Sequence, residues 1–175
     1  GTEAERLRIT SDGVVLVGKT AASYSTNGIQ LDPDNWITVT NDNLCMRVNR
    51  TNNGEVHQFM RSGTIVGRIT VDSTSTTYTT SSDYRLKENI VGLTSAISRV
   101  KQLEPKRFNF IAEPDKIVDG FIAHEVSPVI PEAISGEKDE VDADGNAVMQ
   151  GIDQSKLVPL LTAALQEAIA KIETL

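Results

Sequence analysis

Ser82 and Lys87 stand five residues apart in "SSDYRLKENI", a spacing at which one turn of chain can return an amine to a hydroxyl. A lysine moved out of water gives up its proton more readily and can act as general base toward a serine. The spacing is common by chance, and an exposed serine near an exposed lysine is its ordinary meaning. Asp83 follows the serine, and its carboxylate can reach the Ser82 carbonyl through a six-membered ring. Two other patterns invite chemistry and fail on context. Gly13 to Thr20 spells the phosphate-loop pattern G-x-x-x-x-G-K-T, but that loop needs a strand before it and a helix opening at the Lys-Thr. Here the four middle residues read as a strand, and "AASYSTNG" is a poor helix. "DADGNAVMQG" carries the acids of a calcium loop, yet with Gly145 in sixth place the twelfth residue is Gly151 rather than the required glutamate. A solvated hairpin turn centred on Asp144-Gly145 fits better.

The elements that must position Ser82 and Lys87 change character at that point. The 175 residues suffice for one large domain or two small ones. Residues 1–82 carry seven Lys/Arg against eight Asp/Glu, and residues 83–175 carry ten against sixteen. A composition step of this kind predicts two units, 1–82 and 83–175. The net charge of -7 argues against sequence-blind DNA binding, which needs cations on phosphates. No apolar run approaches the ~20 residues that span a bilayer. Cys45 is the single cysteine, so there is no internal disulfide and no cysteine-rich metal site. No cofactor is expected.

The first unit reads as short strands: "ERLRIT", "VVLVGKT", "IQL", "NWITVT", "LCMRVNR", "EVHQFMR" and "TIVGRITV", separated by Asn, Asp and Gly turns. Large apolar residues are few, and several runs are apolar on one face only. About eighty such residues struggle to bury enough surface alone, which predicts an intertwined oligomer. Thr70–Ser82 has Ser or Thr at ten of thirteen positions. It can be a flexible linker or, through its β-branched threonines, an extended strand.

The second unit reads as α+β. Ala96, Ile97, Val100 and Leu103 share a helical face, with Thr94 as N-cap and Pro105 as the stop. "KRFNFIA" places Phe108 and Phe110 on one face of a strand. "DGFIAHEVSPVIPEAI" reads as a Gly-led strand, a helical turn broken by Pro128 and Pro131, and a strand start. In the last segment Leu161, Leu165, Ala168, Ile172 and Leu175 follow four-three-four-three spacing, a heptad seam. The seam reaches the last residue with no capping glycine, which favours self-association over packing on its own domain. Pro159 must lie in the first turn, where a missing N–H is tolerated.

The blocks "SSDYRLKENI", "LEPKRFNF", "DGFIAHEVSPVIPEAI", "GID" and "LVPLLTAALQEAIAKIETL", in that order, resemble the self-cleaving intramolecular chaperone domain of phage tail spikes and fibres. This is the family of the endosialidase tail spikes and L-shaped tail fibres, and the auto-processing domain of myelin regulatory factor is similar. The resemblance covers residues 82–175. It implies a mixed fold: an all-β intertwined trimeric fibre segment, then an α+β chaperone domain ending in a long coiled-coil helix. It implies that the chaperone drives homotrimerisation and folding of the fibre, then releases itself. Ser82 would be the nucleophile, Lys87 its base and Ser82–Asp83 the bond cut. His124 and Glu125 fall in the "GFIAHE" block, where the family often has Gln for His, and are expected to be fold or trimer contacts. The implied setting is the virion, after assembly in the host cytoplasm, with no membrane insertion and no nucleic acid.

The chemistry is constrained by ring size. Ser82 attacking its own carbonyl would close a strained four-membered lactone. Attack on the Ser81 carbonyl closes a five-membered ring but cuts one bond earlier. Cutting at 82–83 therefore needs a serine from another chain or help from Asp83. Two rival readings remain open. The β unit can be a fibre tip gripping a host-surface glycan or protein, with Trp36 and Tyr24 stacking on sugar, although a packing role suits Trp36 better. Or the whole chain can be a passive trimer without proteolysis. A glycan hydrolase fits less well, because no pair of carboxylates in residues 1–82 marks a sugar site.

Overall fold

A computed structural model describes residues 5–175, and the chain divides into two compact units, one ending at Leu86 and the next beginning at Lys87. In the first unit, β1 (Leu7–Ile9), β2 (Val15–Val17), β3 (Gly28–Leu31) and β4 (Ile37–Thr40) form an antiparallel meander. Strand β3 starts at Gly28, where φ is 144° and an added Cβ would meet the Val17 carbonyl oxygen at 2.6 Å. No other residue fits that approach. The register aligns Leu7, Val17, Ile29 and Val39 across the sheet, and likewise Ile9, Val15, Leu31 and Ile37. Partners opposite one another share a face, so these eight residues make one apolar surface. Six of them (Leu7, Ile9, Val17, Ile29, Leu31 and Ile37) are exposed.

The other face is small and partly polar. Leu16 is fully buried opposite Gln30. The buried Gln30 side chain accepts from the Ser23 amide at 3.1 Å and donates to the Asp32 carboxylate at 2.8 Å. The buried Lys19 Nζ donates to the Ser23 carbonyl at 2.8 Å. Lys19 thus organises the loop between β2 and β3. Val15–Val17 of the phosphate-loop spelling is a strand, and no helix opens at Lys19-Thr20.

A second antiparallel meander holds β5 (Gly54–Arg61), β6 (Thr64–Val71) and β7 (Thr76–Thr80). The Ser/Thr-rich stretch is therefore a strand over Thr76–Thr80, paired to Gly67–Val71. The turn into β7 is built on Asp72, whose carboxylate accepts from the Thr74 and Ser75 amides and both hydroxyls. Those bonds hold its pKa at about 2. One expected strand is missing: residues 44–50, "LCMRVNR", pair with no strand among the described residues, and Leu44, Met46 and Val48 are exposed. Alternation alone does not make a strand where no neighbour supplies hydrogen bonds.

The second unit contains α1 (Ala96–Val100), the hairpin β8 (Lys106–Phe110) and β9 (Glu113–Gly120), and α2 (Ala123–Val126). The short pair β10 (Ile134–Ser135) and β11 (Gly151–Ile152) and the helix α3 (Leu157–Ile172) complete it. Phe108 and Phe110 share a face of β8 and meet edge-to-face at 5.4 Å. Strand β9 ends at Gly120 rather than starting there, so the Gly-led strand expected at 120 lies one element earlier. The hairpin at Asp144-Gly145 forms, with Val141 bridged to Ala147 and Gly145 at φ 83°.

The core joins Ala96, Leu103, Val126, Val129, Ile130, Ala133, Leu157, Leu160 and Ala164, with Ile97 and Val100 packed against it. Of the four apolar residues expected on the first helical face, Ala96 and Leu103 lie in it and Ile97 and Val100 pack against it. Helix α1 is shorter than expected and starts one residue later than a Thr94 cap allows. Ser95 occupies the N-cap position in a left-handed conformation, φ 57°, with no side-chain cap bond. Helix α3 follows a single 3₁₀ turn, Gln154–Lys156, capped by the Asp153 carboxylate. Pro159 is its third residue, within the first turn.

Candidate active site

The segment around the expected dyad is short and open. Thr80 ends β7, and Ser82 and Asp83 follow at the end of the first unit. Tyr84–Leu86 forms one 3₁₀ turn, and Lys87 is the first residue of the second unit. The turn is built by Asp83. Its carbonyl accepts from the Leu86 amide at 3.1 Å, and its Oδ1 accepts from the Arg85 amide at 2.9 Å. The Arg85 guanidinium also grips the carboxylate as a fork, Nε to Oδ1 at 2.9 Å and Nη2 to Oδ2 at 2.8 Å. Hydrogen bonding to Asp83 raises the Arg85 pKa above its ordinary value. In this arrangement the Asp83 carboxylate faces forward along the chain to Arg85. Attack on the Ser82 carbonyl would require it to leave that fork.

Ser82, Asp83 and Lys87 are all exposed. So is a run of large apolar side chains beside them: Tyr84 at 75%, Leu86 at 72%, Ile90 at 71% and Val91 at 86%. Sequence reasoning singled out the polar residues here and passed over this apolar run. Its signal was legible in "YRLKENIV", where apolar residues recur with no pattern that one chain can bury.

His124 and Glu125 sit on α2, both half-buried. Glu125 Oε2 lies 3.5 Å from Lys106 Nζ, which is closer still to Glu104. His124 borders a surface cleft with Glu137, Lys138 and Gln150. Trp36 and Tyr24 are both exposed in the first unit, so within one chain the tryptophan does not take the packing role expected of it. Among the described residues no group of His, Cys, Asp and Glu could hold a metal ion, and no helix is long and apolar enough to cross a membrane.

Helix α3 carries two stripes. Leu157, Leu160 and Ala164 pack into the domain, while Leu161, Leu165 and Ile172 of the heptad seam are exposed and Ala168 is half-buried. The stripes are offset by one residue, about 100° around the helix. Packing on its own domain and presenting a seam are therefore both met, on different faces. The helix stops at Ile172, so Leu175 lies in a turn beyond it rather than on the helix.

Glu167 is the residue that sequence reasoning missed. It continues the packed stripe, Leu157-Leu160-Ala164-Glu167, where a charge is out of place. Its carboxylate accepts from the Ala96 amide at 2.8 Å and from the Ile97 amide at 3.0 Å, 71 and 70 residues earlier in the chain. These two donors open α1 and have no acceptor within it. The bonds hold the Glu167 carboxyl below its ordinary pKa, with the Lys171 charge adding to the effect.

Residues 82–135 match the family model of the chaperone of endosialidase. The match opens at Ser82 and stops at Ser135, short of the terminal helix that the sequence resemblance included. A solved structure of the carboxy-terminal domain of the bacteriophage T5 L-shaped tail fibre, with its intramolecular chaperone domain, aligns with 94% of this chain at 14% identity and a TM-score of 0.37. The match spans 45% of that solved chain's length. No curated protein matches the sequence.

Proposed function

We propose that residues 83–175 are the intramolecular chaperone of a phage tail fibre or spike, and that residues 1–82 are the β-rich end of the fibre it folds. Three copies associate through the α3 seam, which raises the local concentration of the β units and sets their register. The chaperone then cuts itself off at Ser82–Asp83. Lys87 takes the proton of the Ser82 hydroxyl, and that oxygen attacks the Ser82 carbonyl of a neighbouring copy. The Asp83 amine leaves with the proton, and water hydrolyses the resulting ester to free the serine. The reaction is a single turnover in each chain. Cutting removes the easy way back, so the fibre persists by kinetic stability.

One observation carries this reading. In a single chain Ser82 and Lys87 are exposed, and so are Tyr84, Leu86, Ile90 and Val91 in the same stretch of sequence. A lysine becomes an effective base at neutral pH when it is desolvated, and here the apolar cover that desolvation needs must come from neighbouring chains. Such a site works only after assembly, which makes cleavage a check on the trimer. The uncovered apolar face of the first sheet points the same way, since other copies can bury it. The family match beginning at Ser82 adds support. The freed fibre would belong to the virion, and its exposed Trp36 and Tyr24 suit contact with a host-surface glycan or protein.

Denaturing electrophoresis with fragment masses tests the proposal on wild type, Ser82→Ala and Lys87→Ala. Two fragments split at 82–83 in wild type, and one intact chain in each variant, is the expected result. A wild-type chain that stays whole within an assembled trimer overturns it in favour of a passive fibre tip. A released fragment that begins at Ser82 instead assigns the cut to the acyl shift through the Ser81 carbonyl.

A further inference from the structure

We infer that Glu167 is a positioning residue for self-cleavage: it ties the assembly helix α3 to the segment of chain that carries Lys87. The inference rests on the proposed auto-processing and adds a residue that does not touch the reacting atoms.

Helix α1 has only five residues, too few to hold its own start. Ser95 stands before it in a left-handed conformation, φ 57°, and its hydroxyl makes no cap bond. A non-glycine residue in that region is strained, and it persists only where the surroundings impose it. The Glu167 carboxylate stands at the next two residues, with one oxygen on the Ala96 amide and the other on the Ile97 amide. Residues 88–94, between Lys87 and this clamp, contain no helix or strand and are exposed. The clamp thus stands at the start of the first helix or strand after Lys87.

The far side of the connection is α3. Glu167 lies on the stripe that packs into the domain, on its edge away from the exposed seam, two residues after Leu165 and one before Ala168 along the same rigid helix. When copies meet along that seam, the rotation and height of α3 set where the Glu167 carboxylate sits. That position in turn sets the start of α1 and the reach of residues 87–95. Assembly is thereby felt at Lys87 without any seam residue reaching the site.

The test uses the full chain and follows the appearance of fragments, with trimer mass by light scattering and helix content by circular dichroism. Glu167→Ala removes both acceptors. Glu167→Gln keeps the shape and one acceptor oxygen but sets an amide NH₂ against the second donor. We expect trimer mass and helix content to hold while cleavage slows by about 10- to 100-fold in Glu167→Ala, the scale set by a misplacement of about 1 Å, with Glu167→Gln in between. Hydrogen exchange in the uncut Ser82→Ala protein should quicken at the Ala96 and Ile97 amides when Glu167 is replaced. Wild-type cleavage in Glu167→Ala overturns the inference and leaves the auto-processing intact. Loss of the trimer in both variants overturns it too, since the residue would then be structural. A wild-type chain that never cuts overturns this inference together with the function it rests on.

Discussion

Leu160 and Leu165 lie on the same helix, and replacing each by alanine should damage different things. Leu160 is 3% exposed in the domain core, and Leu165 is 61% exposed on the seam. Removing a buried leucine side chain costs about 2–5 kcal/mol, as lost transfer energy plus the cavity left behind. Leu160→Ala should therefore lower the stability of the chaperone unit by that amount. Burying a whole leucine is worth about 1.5–3 kcal/mol, so covering the exposed part of Leu165 supplies about 1–2 kcal/mol per chain. Summed over three chains, that is about 3–6 kcal/mol in the proposed trimer, or about 10²- to 10⁴-fold in its association constant. Alanine is the better helix former, so Leu165→Ala should leave the helix itself unharmed. The assay is sedimentation across a dilution series beside urea unfolding, in a Ser82→Ala background that keeps the chain whole. Leu165→Ala should shift dissociation to higher concentration and Leu160→Ala should shift the unfolding midpoint. If Leu165→Ala dissociates as wild type does, the seam is not an interface and the reasoning fails.

Three further outcomes follow from particular contacts. Arg85→Ala releases the Asp83 carboxylate from its guanidinium fork. If Asp83 attacks the Ser82 carbonyl, fragments should appear faster than in wild type, and an unchanged or slower time course removes Asp83 from the chemistry. Glu167 has its pKa lowered in the folded chain by the Ile97 and Ala96 amides. Its contribution is full above the unfolded carboxylate range near pH 4.5 and is lost as pH falls through the lower folded value. Protection of the two amides, taken relative to their intrinsic exchange rate at each pH, should therefore fall only in acid, and Glu167→Gln should abolish that fall. Leu31→Asp places a charge on the uncovered apolar face of the first sheet. It should leave the proposed α3-driven trimer assembled while the β unit loses hydrogen-exchange protection, and a β unit as protected as wild type would show that other copies do not cover this face.

Local pattern was enough to locate most of the elements. Alternation with Asn, Asp and Gly punctuation marked β1 to β6, because a side chain's face on a strand depends only on its neighbours in sequence. Helical spacing marked the α1 face and the α3 seam for the same reason, and the family blocks from Ser82 onward were legible as spelling. What the sequence left open depends on partners far away along the chain. Thr76–Thr80 became a strand because β6 offered it hydrogen bonds, whereas residues 44–50 alternate equally well and found no such edge. The start of α1 is set by Glu167, seventy residues on, which no local capping rule could reveal. Sequence puts the Asp83 carboxylate within reach of the Ser82 carbonyl, and the turn that follows adds bonds from the Arg85 amide and guanidinium. Periodicity says which way a side chain points; only the fold decides what stands opposite it, since a hydrogen bond needs two groups brought to within about 3 Å.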